Sequence, residues 1–154
     1  LDFFGLPQLK WMLSEETSLL SIIIVFVWKM LGYNIMIILA ALQSVPREVY
    51  EAAKMDRAGQ VKTFFHVTIP MISPTLVFLI TNNVTSSFCS FDIIDLMTKG
   101  GPKNSSNMMV YWIYENAFSY YRVGPAMAGA VVLLMLVGSI SVLVFTISNR
   151  KAHY

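Results

Sequence analysis

Four polar residues recur at helical spacing in the stretch "TNNVTSSFCSFDIID", residues 81–95: Asn83, Ser86, Ser87 and Ser90. A helix turns about 100° per residue, so the four fall within an arc of about 100°. Phe88 and Phe91 lie beside them. Amides and hydroxyls both donate and accept hydrogen bonds, and aromatic faces pack against C–H surface. That combination suits holding a sugar or polyol. The plainer alternative is that such serines bond their own backbone or pack against neighbouring helices. A second polar spot, Gly32, Tyr33 and Asn34, interrupts another apolar run and reads as a break near its middle. Lys29 lies centrally in that run. A charge there either serves a function or snorkels to an interface. Asp92 and Asp95 lie nearer an end and are expected to be solvated. No residues are arranged for covalent chemistry. There is no Ser-His pair, and His66 and His153 are too far apart in sequence to suggest a metal site. Cys89 is the single cysteine, which excludes an intrachain disulfide.

The elements that must position these groups are membrane spans. Of 154 residues, 56% are hydrophobic and 13% charged, against roughly 25% charged in soluble domains. A span takes about 20 apolar residues, and three stretches qualify. They are 19–42, then 71 to about 91 with its polar end reaching 97, then 123–149, which contains no Asp, Glu, Lys or Arg. The expected fold is therefore an all-α membrane protein. The net charge of +2, with no basic patch interleaved with aromatics, gives no reason to expect nucleic acid. The chain opens on Leu1 with no charged n-region and cleavage site, so the first run is not a signal peptide. It reads as a fragment or as a chain whose start is not captured.

The loops set the orientation. Residues 43–70 carry Arg47, Lys54, Arg57 and Lys62, and the tail, 150–154, carries Arg150 and Lys151. The opposite side, 1–18 and 98–122, carries Lys10, Lys99, Lys103 and Arg122. Six cations against four favour a cytoplasmic 43–70 loop and C-terminus. The segment "TKGGPKNSS", 98–106, is a turn. The aromatics at 111, 112, 114, 118, 120 and 121 read as an interfacial belt.

The 43–70 loop contains "EAAKMDRAG", four charges in nine residues. Pro46 suits a first helical position. Glu48 and Arg57 complement the two ends of a helix dipole, and Gly59 is placed for a left-handed C-terminal cap. The expected structure is a helix over 46–58, a tight turn at Gly59, and a second helix from Gln60 to Val67 closed by Pro70. Ala52 and Ala53 leave one side thin enough for a partner to approach.

At these residues the chain resembles the permease subunits of bacterial ATP-binding-cassette importers. Their loop carries E-A-A, three residues, Gly, nine residues, Ile, one residue, Leu-Pro. Glu51-Ala52-Ala53 matches, and Val67 and Ile69-Pro70 match conservatively. "ALQSVPREVYEAA" and "TKGGP" are similar to the carbohydrate branch, which includes the maltose and glycerol-3-phosphate permeases. The resemblance runs from about Leu19 to Arg150. It implies the C-terminal half of a six-helix type I importer permease in the bacterial inner membrane, multi-pass, with the loop as a coupling helix-turn-helix. Glu51, Ala52, Ala53, Asp56 and Gly59 would then dock on cytoplasmic ATP-binding subunits. A second permease subunit, an extracytoplasmic solute-binding protein and membrane lipid would be the other partners. The chain has no G-x-x-x-x-G-K-[ST] phosphate loop, so ATP hydrolysis falls to a partner. No cofactor or metal is implied, and the chain is not expected to be an enzyme. In the similar maltose permease this helix region lines the binding site, which supports Asn83, Ser87 and Ser90. Arg57 stands where the family has glycine. The alternatives are an intramembrane channel or enzyme, for which a capped coupling helix has no use, and a non-functional half-permease.

Overall fold

The computed structural model describes residues 11–151, with side chains over 11–146. The first ten residues of the expected 1–18 segment and the tail beyond Lys151 lie outside the described residues. Among the described residues, three helices are long and apolar enough to cross a membrane: Glu15–Ser44, Gln60–Phe88 and Val123–Thr146. Even in the best covered, Gln60–Phe88, only 17% of the apolar window is buried within the chain. The spans therefore leave apolar surface for lipid or partner helices.

Helix α1, Glu15–Ser44, starts with Glu15 and Glu16 at the positive end of its dipole. It runs through Gly32 without interruption, so the expected break at Gly32, Tyr33 and Asn34 does not occur. One glycine costs a helix only about 1 kcal/mol, and in an apolar span every backbone group must bond within the helix.

The short α2, Arg47–Met55, is followed by α3, Gln60–Thr63. From α3 the chain passes through a π-helical stretch, Phe64–Thr68, into α4, Ile69–Phe88. Pro70 does not close the loop, because 60–88 is one uninterrupted helical run. The proline sits just past the π turn instead. With no N–H at Pro70, the ladder loses the bond to residue 66. Immediately before it, the Ile69 N–H reaches back to the Phe64 carbonyl, five residues rather than four.

The expected 71–97 helix is also corrected. It ends at Phe88, Cys89 is a turn, and Ser90 leaves the helical region (φ −77°, ψ 64°) before α5, Phe91–Met97. The loop 98–122 is partly helical: α6, Met109–Tyr114, runs into a π turn, Glu115–Ser119. The turn predicted at 98–106 is present, with Lys99, Gly100, Lys103 and Asn104 all at positive φ. Helix α7, Val123–Lys151, fills the last expected span and continues past residue 149.

The chain divides into two compact units. One comprises residues 11–29 together with Thr85–Gly138. Its core is Ile22, Ile93, Ile94 and Tyr111, backed by Val25, Phe26 and Phe91. Ile22, Val25 and Phe26 repeat at helical spacing and present one stripe of α1. Tyr111 is buried and stacks on Phe91 at 5.7 Å, so it is a core residue and not part of an interfacial belt. Burial pushes its phenol above the usual tyrosine range. Trp112, Phe118, Tyr120 and Tyr121 remain exposed. Ser18 bonds Ser105 at 2.8 Å across this unit. The other unit comprises Met30–Val84 and residues 139–151. It contains the charged hairpin and the second half of α1.

Candidate functional site

The hairpin of α2 and the helix after it is held by local bonds. Pro46 is the extended N-cap residue (φ −60°, ψ 139°) and not the first helical one. At the other end, the Ala58 N–H donates to the Ala53 carbonyl at 3.0 Å and the Arg57 N–H to the Lys54 carbonyl at 3.0 Å. That pair of bonds is the Schellman closure, whose first residue past the cap is left-handed. Arg57 occupies that place, with φ 54°. Gly59 does not. It is extended (φ −65°, ψ 157°) and caps the start of α3. The expected glycine cap is therefore corrected: the turn is made at the position where the family has glycine, by an arginine.

The two arms also touch. The Thr68 hydroxyl donates to the Tyr50 hydroxyl at 3.3 Å. Ala53 is buried, while its neighbour Ala52 is exposed. The two alanines therefore split: Ala53 lets the second arm approach, and Ala52 stays exposed, as do Glu51, Asp56 and Gly59. A cleft of about 330 Å³ opens between the arms, lined by Val49, Ala52, Ala53, Asp56, Lys62 and His66 among others.

In the same unit, Asn34 and Asn83 meet. The Asn83 amide donates to the Asn34 carbonyl oxygen at 3.0 Å, and the Asn34 amide donates back at 3.3 Å. This reciprocal pair satisfies one donor and one acceptor on each side chain where hydrocarbon offers none. Two asparagines in two apolar spans were the visible signal for it. The open side of Gly32 has no neighbour within 4 Å of an added Cβ.

The three serines belong to the other unit. Ser90 is buried and donates to the Ser87 carbonyl at 2.9 Å. The Ser86 carbonyl accepts the Cys89 N–H at 3.2 Å, ending the helix. Because the helix stops at Phe88, Ser90 does not continue the arc of Asn83, Ser86 and Ser87, and its hydroxyl serves the break. Lys29 is not an isolated charge. It is ion-paired with Asp92, which corrects the expectation that Asp92 is simply solvated. The hydrogen bond from Lys29 holds the Asp92 carboxyl below the usual aspartate range. The carboxyl stays half exposed. Among the described residues, no group of three His, Cys, Asp or Glu side chains is placed to hold a metal ion.

Sequence reasoning missed a polar cleft of about 240 Å³ in the 98–122 segment, lined by Asn104, Asn107, Glu115, Asn116, Tyr120 and Arg122 with Trp112. Its signal was the density of amides and charges among aromatics in "KNSSNMMVYWIYENAFSYYR".

The family model described as the binding-protein-dependent transport system inner membrane component matches residues 2–154. The sn-glycerol-3-phosphate transport system permease protein UgpA of Pectobacterium atrosepticum is 37% identical over 99% of this chain and 52% of its own length. The protein of the same name from Yersinia enterocolitica is 38% identical over 89% of this chain and 47% of its own length. The chain thus spans about half the length of the curated relatives it matches. A bacterial ABC transporter involved in the import of the acidic polysaccharide alginate shares the fold. The TM-score is 0.84 at 22% identity, over 97% of this chain and 52% of that one. A second structure, of a bacterial alginate ABC transporter in complex with alginate pentasaccharide-bound periplasmic protein, gives 0.85 at 22% identity, over 99% of this chain and 53% of that one. The chain belongs to the family of inner membrane components of binding-protein-dependent transport systems.

Proposed function

We propose that this member of the binding-protein-dependent transport family is the C-terminal half of a permease subunit for a sugar- or polyol-type solute, driven by ATP-binding subunits docked on the α2 hairpin. The observation that carries the reading is the hairpin itself. It is a charged nine-residue helix between apolar spans, closed by a Schellman turn and tied by Tyr50 to Thr68. A merely solvated linker needs none of these. Its exposed residues, Glu51, Ala52, Asp56 and Gly59, form the docking surface, with Ala52 and Asp56 at the mouth of the cleft between the arms, and Ala53 sets the spacing of the arms. The sequence has no phosphate-binding loop, so the hairpin receives mechanical work from a partner that hydrolyses ATP.

On this reading the hairpin and the C-terminus are cytoplasmic, as the cation bias favours. A second permease subunit covers apolar surface that the three spans leave exposed, and lipid covers the rest. An extracytoplasmic solute-binding protein delivers the solute, as the named relatives and the alginate-bound complex encourage. Asn34 and Asn83 offer their amides to it within one unit, with Gly32 leaving room on α1; in the other unit Ser86 is the candidate, and Ser87 supplies the carbonyl that Ser90 bonds. Ser90 contributes by ending the helix.

The experiment is to reconstitute the whole transporter and measure solute-stimulated ATP hydrolysis, uptake and subunit association together. Glu51→Lys reverses an exposed charge against a complementary partner, where like-charge juxtaposition costs several kcal/mol. Ala52→Trp adds bulk to the outward face. Both are expected to uncouple or undock the ATPase. Wild-type hydrolysis, uptake and association in both variants would show that the hairpin is not the coupling element.

A further inference from the structure

We propose that the polar cleft of the 98–122 segment is a solute subsite, separate from the spans, that takes a single sugar ring or a small polyol. The proposal rests on the reading of the chain as a solute permease and deepens it. The cleft lies within one compact unit, and its lining is what hydroxyl recognition requires. The amide of Asn107 donates to Glu115 Oε2 at 2.9 Å. That bond fixes which end of the Asn107 amide is which, because the flipped amide would set oxygen against carboxylate. Asn107 Oδ1 then points elsewhere, buried and with no partner among the described residues. A buried acceptor left without a donor costs about 1–3 kcal/mol; Oδ1 is closed to solvent here, so a ligand O–H or N–H meets it only when the Asn107 side chain turns toward the cleft it lines.

The rest of the lining can meet the other groups of the same ligand. Asn116 is buried with its amide spent on the Trp112 carbonyl at 2.9 Å, which orients it and leaves its own carbonyl oxygen for a donor. The Arg122 guanidinium has no carboxylate within ion-pair reach among the described residues. Trp112 is 40% exposed, offering an indole for the C–H face of a ring. Donors, acceptors and one aromatic surface converge, and Glu115 and Arg122 together leave the cleft without net charge. Its 240 Å³ lies below the roughly 300–1,000 Å³ of sites for drug-sized ligands. This decides for one ring over an oligosaccharide.

The test uses the reconstituted transporter with Cys89→Ser and Tyr120→Cys, since Tyr120 is exposed and has ordinary backbone angles. The rate of maleimide labelling at residue 120 is followed against glucose, glycerol and glycerol 3-phosphate. At least one is expected to slow labelling saturably. Adding Arg122→Gln is expected to raise the protecting concentration roughly twofold to tenfold, the loss of one hydrogen bond. Asn104→Cys serves as a second reporter should Tyr120→Cys not assemble. Labelling unmoved by every solute overturns the proposal. So does labelling slowed only by the solute-binding protein, which makes the cleft a docking face. Uptake by the same vesicles reads the permease assignment separately. Uptake without protection sinks the subsite alone, and protection without uptake sinks the transport reading alone.

Discussion

The left-handed residue of the hairpin turn can be located by two substitutions whose effects both reverse sign if the turn is misplaced. Arg57 has φ 54° and Gly59 has φ −65°. A side chain at a left-handed position costs roughly 1–2 kcal/mol that glycine does not incur. Glycine in exchange loses about 0.5–1 kcal/mol more backbone entropy on folding. Arg57→Gly should therefore stabilise the turn by about 0.5–1 kcal/mol, or twofold to fivefold in its opening constant. Gly59→Ser should also stabilise. An added Cβ there meets nothing within 4 Å, the extended angles suit any residue, and a serine oxygen at an N-cap accepts a free N–H of the following turn. Together with reduced freedom in the open state, that is worth about 0.5–1 kcal/mol.

The assay is amide hydrogen exchange of the 47–58 segment in the intact transporter, where protection reads the local opening free energy. The Ala58 amide, bonded to the Ala53 carbonyl, is the reporter. Both variants are expected to exchange twofold to fivefold more slowly than wild type. Were Gly59 the left-handed cap, Gly59→Ser would speed exchange by roughly fivefold or more, and Arg57→Gly would speed it too by placing glycine inside the helix. Faster exchange in both variants would refute the Schellman closure at Arg57.

Three further outcomes follow from the packing. Asn34→Leu or Asn83→Leu leaves one polar amide orphaned and should each destabilise the transporter by about 1–3 kcal/mol, while the double Leu variant recovers most of that; thermal unfolding of all three variants measures the coupling, and additive losses would show that the pair is not formed. Gly129→Ala would place its Cβ 2.7 Å from Trp112 Cζ3 and should cost about 1–3 kcal/mol by overpacking, a clear drop in melting temperature, whereas Gly138→Ala, with nothing within 4 Å, should cause none. Asp92 has its folded pKa lowered by Lys29, so its stabilisation is present above the ordinary value of about 3.9 and is lost as pH falls through the lower folded value; the stability gap between wild type and Asp92→Asn should be small, since both partners are half exposed, and should close below about pH 4.

What sequence makes legible here is what hydrocarbon enforces. A span without Asp, Glu, Lys or Arg, such as 123–149, has no alternative to a helix, and α7 occupies it. The charged hairpin is likewise announced by its composition and by the E-A-A pattern. What sequence leaves open is decided by single backbone angles and by pairings at long range. Glycine is the usual left-handed residue, so Gly59 attracts the cap; yet the bond pattern counts residues from the helix end, and that count falls on Arg57. A proline after a polar loop suggests a boundary at Pro70, but a helix entering apolar surroundings can absorb a proline by widening to a π turn at Phe64–Thr68. The polar stripe shows the same limit. Asn83 is 49 residues from Asn34, and no periodicity within either helix reveals that each amide answers the other. That pairing changes what the asparagines can do for a solute: hydroxyls entering there must compete with an amide pair already satisfied, so binding in the span requires the pair to open first. The cleft of the 98–122 segment holds a buried acceptor that no group among the described residues satisfies, so a hydroxyl that reaches it displaces no existing partner.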